Sequence, residues 1–304
     1  MLLLPGFSLL AEACATEPLA VANQLAGRPL YSVALFGPEG EPVTSGSRQW
    51  LQTQRRVGDD EALDMLMVCA AGLTGASDPL LGWLRRLAGA GSVMVGIDGG
   101  AELLGRAGLL DGYRATLPWQ RFEAMARDHP RVRLSRHLFE IDRDRLTCGG
   151  GTAAMDMMMT LIGSQHGSEL AERVSAHFVL ERVRMGDEPQ RAPLRSRLGR
   201  APESLVEAVS LMEANIEEPL TTHELAEHLG ISRRQLERQF KKHLQAVPSR
   251  YYLGLRLQRA RRLLREGDHA AGEVGMLTGF SSAAHFSTAY RNHFGVTPRE
   301  ERLD

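Results

Sequence analysis

The run Gly96-Ile97-Asp98-Gly99-Gly100 has the residue types of a strand, a sharp turn and a helix start. The apolar SVMVGI leads in and AELLGRAGLL leads out. A strand–turn–helix elbow exposes the side chain at its apex, and in hydrolases that side chain is the nucleophile. Here it is Asp98. A thiolate attacks carbonyl carbon because it is soft and polarizable. A carboxylate in its place would form an anhydride, which few enzyme classes exploit. A base is missing too: RATL is followed by Pro118-Trp119, where a histidine would be wanted. The elbow therefore reads as a binding site, with capping of the following helix as the other role open to Asp98. Cys69 and Cys148 end apolar runs and read first as small core residues. A cysteine hydrolase or amidase using one of them is the alternative.

The elements that must position Asp98 are legible over the first 184 residues. MLLL, YSVALFG, LDMLMVCAAG, GSVMVGID, RATL, FEID and LTCGGG read as strands. Helical patterns cover 7–26, 78–90, 101–107, 119–129 and 152–166. This alternation predicts an α/β sandwich on a mostly parallel, buried sheet, of flavodoxin-like type. Ligands in such sheets bind at the C-terminal ends of the strands, where the elbow would lie.

Residues 186–200, GDEPQRAPLRSRLGR, mix proline, glycine and arginine without apolar periodicity and read as a linker. The expected domains are thus 1–185 and 201–304. The second shows only helical pattern. Thr221 with Glu224, and Ser232 with Gln235, have capping-box spacing on either side of Gly230. Helix, short glycine turn, helix is the helix-turn-helix plan. A second copy follows, with its turn at Gly279-Phe280, a cap at Ser282, and Phe286, Tyr290 and Phe294 four residues apart. SRYYLGLRLQRARRLLREG between them would be a helix of about 25 Å, able to set two reading helices near one DNA turn apart. From Ser232 to Arg265 there are eleven Lys/Arg and one acid, Glu237, a local excess suited to phosphate.

These residues carry a resemblance. ELAEHLGISRRQLERQFKKHL, PSRYYLGLRLQRARRLL and GFSSAAHFSTAYRNHFGVTPREER, within 205–301, resemble an AraC-type DNA-binding domain. Gly272 and Gly275 depart from its preference for helix formers, so that helix is expected to be looser. The resemblance implies that Arg233, Arg234, Gln235, Arg238, Gln239 and Lys242 face DNA from the first recognition helix. Ser282, Ala283, His285, Ser287 and Arg291 are the equivalents on the second. Leu236, Phe240, Phe286 and Tyr290 are expected in the core.

LLLPGFSLL, LDMLMVCAAG, GIDGGAELLGRAGLLDGYRAT and LTCGGGTAAMDMMMTLI resemble the class I glutamine amidotransferase-like superfamily, in the form fused to AraC-type domains as GlxA-like regulators. The superfamily's enzymes carry cysteine where this chain has Asp98. Glu17 matches the acid that lies near the elbow. With Asp98, Trp119, Gly72 and Gly99 it is expected to form a pocket for a small cationic or zwitterionic effector, since carboxylates pair with ammonium or guanidinium and an indole face favours cations. Glu17 as a buried hydrogen-bonded acid and Trp119 as core are the plainer alternatives. The C-terminal segment looks closest to regulators of arginine, glycine betaine and carnitine catabolism.

The reading is of a transcriptional activator rather than an enzyme. Promoter DNA, RNA polymerase and a second copy of the chain are its partners, and neither cofactor nor metal is expected. Net charge is −1 over 304 residues, so only the local basic stretch points to nucleic acid. Three separated cysteines suit a reducing cytoplasm and offer no disulfide framework or zinc spacing. The apolar start lacks a basic region and is broken by Pro5-Gly6, against a signal peptide, and no run is long enough to span a membrane. MLLL is short for a first strand, so a few residues are expected upstream.

Overall fold

The computed structural model describes all residues except 60–61, 191–197, 199–200, 267–268 and 303–304. The chain divides into two compact units, Met1–Arg191 and Ala192–Asp304. The expected linker lies mostly outside the described residues, but 186–190 belong to the first unit and are bonded to it.

The first unit is built on a seven-stranded sheet of order β10-β11-β7-β6-β1-β2-β5. Its strands are β1 (Leu2–Leu3), β2 (Phe36–Gly37), β5 (Arg55–Arg56), β6 (Met65–Ala70), β7 (Val93–Asp98), β10 (Phe139–Asp142) and β11 (Arg145–Cys148). All neighbours are parallel except β10 and β11. Alternation along the strands feeds two cores. Met67, Cys69, Val95 and Ile97 point into one, with α1 (Leu9–Ala26), α5 (Ala153–His166) and α6 (Ser168–His177). Leu66, Val68 and Met94 point into the other, with α2 (Asp78–Gly89) and α3 (Gly100–Arg106). A sheet buried on both faces needs such near-continuous apolar strands.

Three expectations need correction. RATL does not join the main sheet: β8 (Arg114–Ala115) pairs with β9 (Arg133–Leu134) in a separate two-stranded sheet. YSVALFG contributes only β2. The 119–129 helix is a 3-10 turn, Trp119–Arg121, followed by α4 (Phe122–Asp128). The hairpin of β3 (Val43–Thr44) and β4 (Trp50–Leu51), and α6, were not foreseen.

The second unit is all helix: α7 (Glu203–Ala214), α8 (Thr222–His228), α9 (Arg233–Leu244), α10 (Pro248–Glu266), α11 (Ala271–Leu277), α12 (Ala283–Phe294) and α13 (Pro298–Glu301). It holds two cores. Leu205, Leu225, Leu236 and Phe240 fill the first, and Val274, Phe280, Phe286 and Tyr290 the second. The long α10 serves both, giving Tyr252 to the first core and Leu257, Ala260 and Leu264 to the second. Gly279 (φ +76°) ties the two halves together: a Cβ there would stand 2.5 Å from Pro219 Cγ. The helix α11 forms through Gly275. The Phe286 ring packs on it, 3.2 Å from where a Cβ would be.

Candidate functional site

The elbow forms as read. Asp98 ends β7 with φ +57°, left-handed backbone that a non-glycine residue seldom adopts, and α3 begins two residues later. Gly96 lets the helix return close to the strand, since a Cβ there would lie 2.7 Å from Ala101 Cα. Gly99 and Gly72 are buried and stacked backbone to backbone, and a side chain at Gly99 would overlap Gly72. Their contribution is this close approach. The start of α3 carries no side-chain cap, so Asp98 is not its capping residue.

Asp98 lines a cleft of about 620 Å³ with Phe7, Ser8, Leu10, Ala13 and Ser47 among its walls. The unforeseen β3–β4 hairpin supplies the Ser47 side, held by Gly46 N–H donating to Phe7 O at 2.9 Å. Burial pushes the Asp98 carboxyl up from its ordinary value, against the opposing field of Arg121. Arg121 was missed in the sequence. Its Nη1 donates to Glu102 Oε2 at 2.8 Å, its Nη2 donates to Ala71 O, and its guanidinium covers Gly72. Only its position two residues after Trp119 could have pointed to it.

Glu17 and Trp119 are not among the residues that line this cleft. Glu17 is exposed on α1. The buried acid of that helix is Glu12, five residues earlier and on another face, with its Oε1 accepting from Thr16 Oγ1 at 3.1 Å. Burial raises the Glu12 carboxyl as well. Trp119 is half-buried, and its backbone N–H donates to Gln190 Oε1 at 3.1 Å. Neither lines the cleft among the described residues.

The thiols are poorly placed for a hydrolase. Cys69 and Cys148 flank Ile97 in register, one residue short of Asp98. Both are fully buried, and burial raises them far above the ordinary thiol value, Cys148 to about 12. Thiols in that state are not nucleophiles near neutral pH. Among the described residues no three His, Cys, Asp or Glu side chains gather as a metal site, and no helix is long and apolar enough to cross a membrane.

In the helical unit the two helix-turn-helix motifs form where expected. Thr221 and Glu224 make the full reciprocal capping box, while Ser232 Oγ accepts from Gln235 N–H at 3.2 Å. Ser282 caps α12 through His285 N–H, also at 3.2 Å. Arg233, Arg234, Gln235, Arg238 and Lys242 are exposed on α9, as are Ser282, Ala283, His285, Ser287 and Arg291 at α12. Gln239 is the exception. It is buried, and its amide is bonded to Ser204 on α7.

Part of the basic stretch is also structural. Arg256 donates to the carbonyls of Thr278 and Gly279 at 2.7 and 2.6 Å and lies over the Phe280 ring. Arg261 and Arg265 both bind the buried Glu301, which also accepts from the Tyr290 hydroxyl. These three arginines hold the second motif together, so fewer of the eleven cations are available for phosphate.

Known proteins are consistent with this architecture. A family model described as "Helix-turn-helix domain" matches residues 225–303. The HTH-type transcriptional regulator ArgR of Pseudomonas aeruginosa is 45% identical, over 99% of this chain and 91% of that protein. The crystal structure of an AraC family transcriptional regulator from Pseudomonas putida is 29% identical with a TM-score of 0.54, over 58% of this chain and 96% of that one. A ThiJ/PfpI family protein from Pseudomonas syringae, 19% identical with a TM-score of 0.53, covers 75% of this chain and 89% of its own, and shares the fold. The full-length relative is a transcriptional regulator. With an α/β domain that shares the fold of the ThiJ/PfpI family protein and is joined to two helix-turn-helix motifs, the chain belongs to the AraC-family HTH-type transcriptional regulators.

Proposed function

We propose that this regulator is an activator switched by a small amine or amino-acid-like effector, bound at Asp98 in a domain of amidotransferase type without catalytic machinery. The observation that carries the reading is Asp98 at the apex of the elbow, among the residues that line the cleft. A nucleophile is exchanged there for a charge. Burial disfavours that charge and the field of Arg121 offsets it only in part, so a cation entering the cleft would be stabilised. Trp119 and Glu17, expected in the pocket, do not line this cleft.

Effector binding shifts the balance between a state that holds promoter DNA productively and one that does not. The protein acts as a homodimer through its α/β domain, since two linked copies on repeated half-sites gain affinity from effective concentration. RNA polymerase is the downstream partner. A thermal-shift screen of amino acids, betaines and polyamines tests the reading, because a compound that binds only the folded state raises the melting temperature. A positive compound is then titrated by calorimetry into wild type and Asp98→Asn. Equal affinity for the two proteins would remove Asp98 from the site.

A further inference from the structure

The chain leaving the first unit is strapped to it. Arg182 forks onto Glu188 at 2.6 and 2.9 Å. The backbone N–H and Nε of Arg184 donate to the buried Asp156 of α5 at 2.8 and 2.9 Å. The strap ends in Gln190, two residues before the second unit begins. Its Oε1 accepts from Trp119 N–H at 3.1 Å. Its Nε2 lies 3.0 Å from Thr116 Oγ1, 2.9 Å from Leu117 O and 3.0 Å from His137 O, so two protons serve three acceptors. Its own N–H donates to Arg136 O at 3.0 Å. A residue expected in a slack linker is therefore among the most thoroughly bonded side chains of the unit.

Two lines of contact run from the elbow to this amide. One passes through the glycines after β11. A Cβ on Gly150 (φ +80°) would stand 3.0 Å from Asp98 Cβ, and a Cβ on Gly149 would stand 2.9 Å from Gln190 Cδ. Asp98, Gly150, Gly149 and Gln190 are thus packed in series with no room for a side chain between them. The other passes through the 3-10 turn Trp119–Arg121, whose last residue binds Glu102 beside the elbow and whose first N–H is held by Gln190. A group that displaces Asp98 or Arg121 must strain or release the bonds of Gln190, because packed contacts of this kind have few intermediate arrangements.

We infer that Gln190 is a positioning residue that passes the state of the Asp98 site to the chain leading into the helix-turn-helix unit. The inference rests on the effector reading above. It assigns Gln190 no contact with the effector and none with DNA.

Two measurements on the full-length protein test it. The first needs no effector. Amide hydrogen exchange is followed at Trp119 and across 186–190 in wild type, Asp98→Asn and Arg121→Lys. Exchange faster by tenfold or more in either folded variant supports the coupling, and rates within twofold of wild type in both overturn it. The second uses L-arginine, glycine betaine, L-carnitine and spermidine as probes, with operator affinity measured with and without each. Gln190→Glu keeps the acceptor for Trp119 and removes the donors, while Gly149→Ala crowds the amide from the other side. Both should bind an active probe within about threefold of wild type yet lose the change in operator affinity. A full response in both would overturn the inference. If no probe changes the operator affinity of wild type, the effector reading fails by itself, and the exchange rates still decide the coupling.

Discussion

The Gln239 amide is turned into the helical core, with its Nε2 3.0 Å from the Ser204 hydroxyl. Arg238, its neighbour in sequence, is exposed. Adjacent residues on one recognition helix are thereby assigned to separate tasks, and mutation should separate them. Arg238→Ala should weaken operator binding by about 1–3 kcal/mol if it makes a bidentate base contact, and leave the melting temperature unchanged. Gln239→Ala should cost about 0.5–1.5 kcal/mol of stability, because the bond between its buried amide and the half-buried Ser204 hydroxyl is lost. Operator titrations beside urea melts distinguish the two. A Gln239→Ala protein of normal stability and weakened operator binding would reverse the assignment.

At the elbow, Asp98→Asn retains shape and removes charge. It should abolish the effector response with a small change in stability, since Asp98 caps no helix. Asp98→Cys should remain inactive as a hydrolase, as no base stands by to ionise the thiol. Calorimetry, a thermal melt and an esterase assay read the three quantities.

The same residue sets a pH dependence. The Asp98 carboxyl is raised by burial above its ordinary 3.8, although Arg121 opposes the shift. The native state therefore holds a proton that the unfolded chain has released. The stabilising contribution is fully present below 3.8 and is lost as pH rises through the raised value. Binding of a cationic effector runs the other way, strengthening over that window as the carboxylate ionises. Affinity of a quaternary amine that falls with rising pH in this range would contradict the assignment.

In the helical unit the acid dependence has the opposite sign. Burial works against the Glu301 carboxylate, yet Arg261, Arg265 and the Tyr290 hydroxyl together hold its pKa below the ordinary 4.5. Its stabilising contribution is present above 4.5 and is lost as pH falls through the lowered value. Glu301→Gln should lower stability at neutral pH and flatten the acid limb of the melting curve. Chemical denaturation between pH 3 and 7, on the order of that window, measures both.

The three thiols should be silent in the native protein. Cys14, Cys69 and Cys148 are buried, and burial raises each of them. Iodoacetamide should label none at neutral pH within hours and all three in denaturant. Fast labelling of Cys69 or Cys148 in the folded chain would revive the hydrolase alternative.

The elbow and the helix-turn-helix motifs were legible because each is local. Gly96 to Gly100 encodes its own turn, and Thr221 with Glu224 encodes its own cap. The surroundings of Asp98 were not legible in this way. Arg121 reaches the elbow from a turn far along the chain, and the β3–β4 hairpin closes the cleft through backbone bonds that no side-chain pattern announces. The family resemblance points to Glu17, whereas the helix buries the acid five residues earlier, at Glu12. Gln239 looked like a reading residue because apolar periodicity is silent about polar groups on a buried face. Gln190 looked like linker because its bonds are to backbone atoms distant in sequence.

The helix α10 and the Gly279–Pro219 contact have a consequence for the operator. Nineteen residues of helix fix a distance of about 28 Å, and the glycine–proline contact packs one half against the other. The helical unit is thus a gauge of pitch as well as a reader of bases. One base pair inserted between the segments read by α9 and α12 would turn the second segment by about 34–36° around the duplex axis. A rigid gauge cannot follow that turn. A single mismatch forfeits one contact, whereas an insertion removes every contact of one reading helix together, so operators for this protein should vary in letters far more freely than in length.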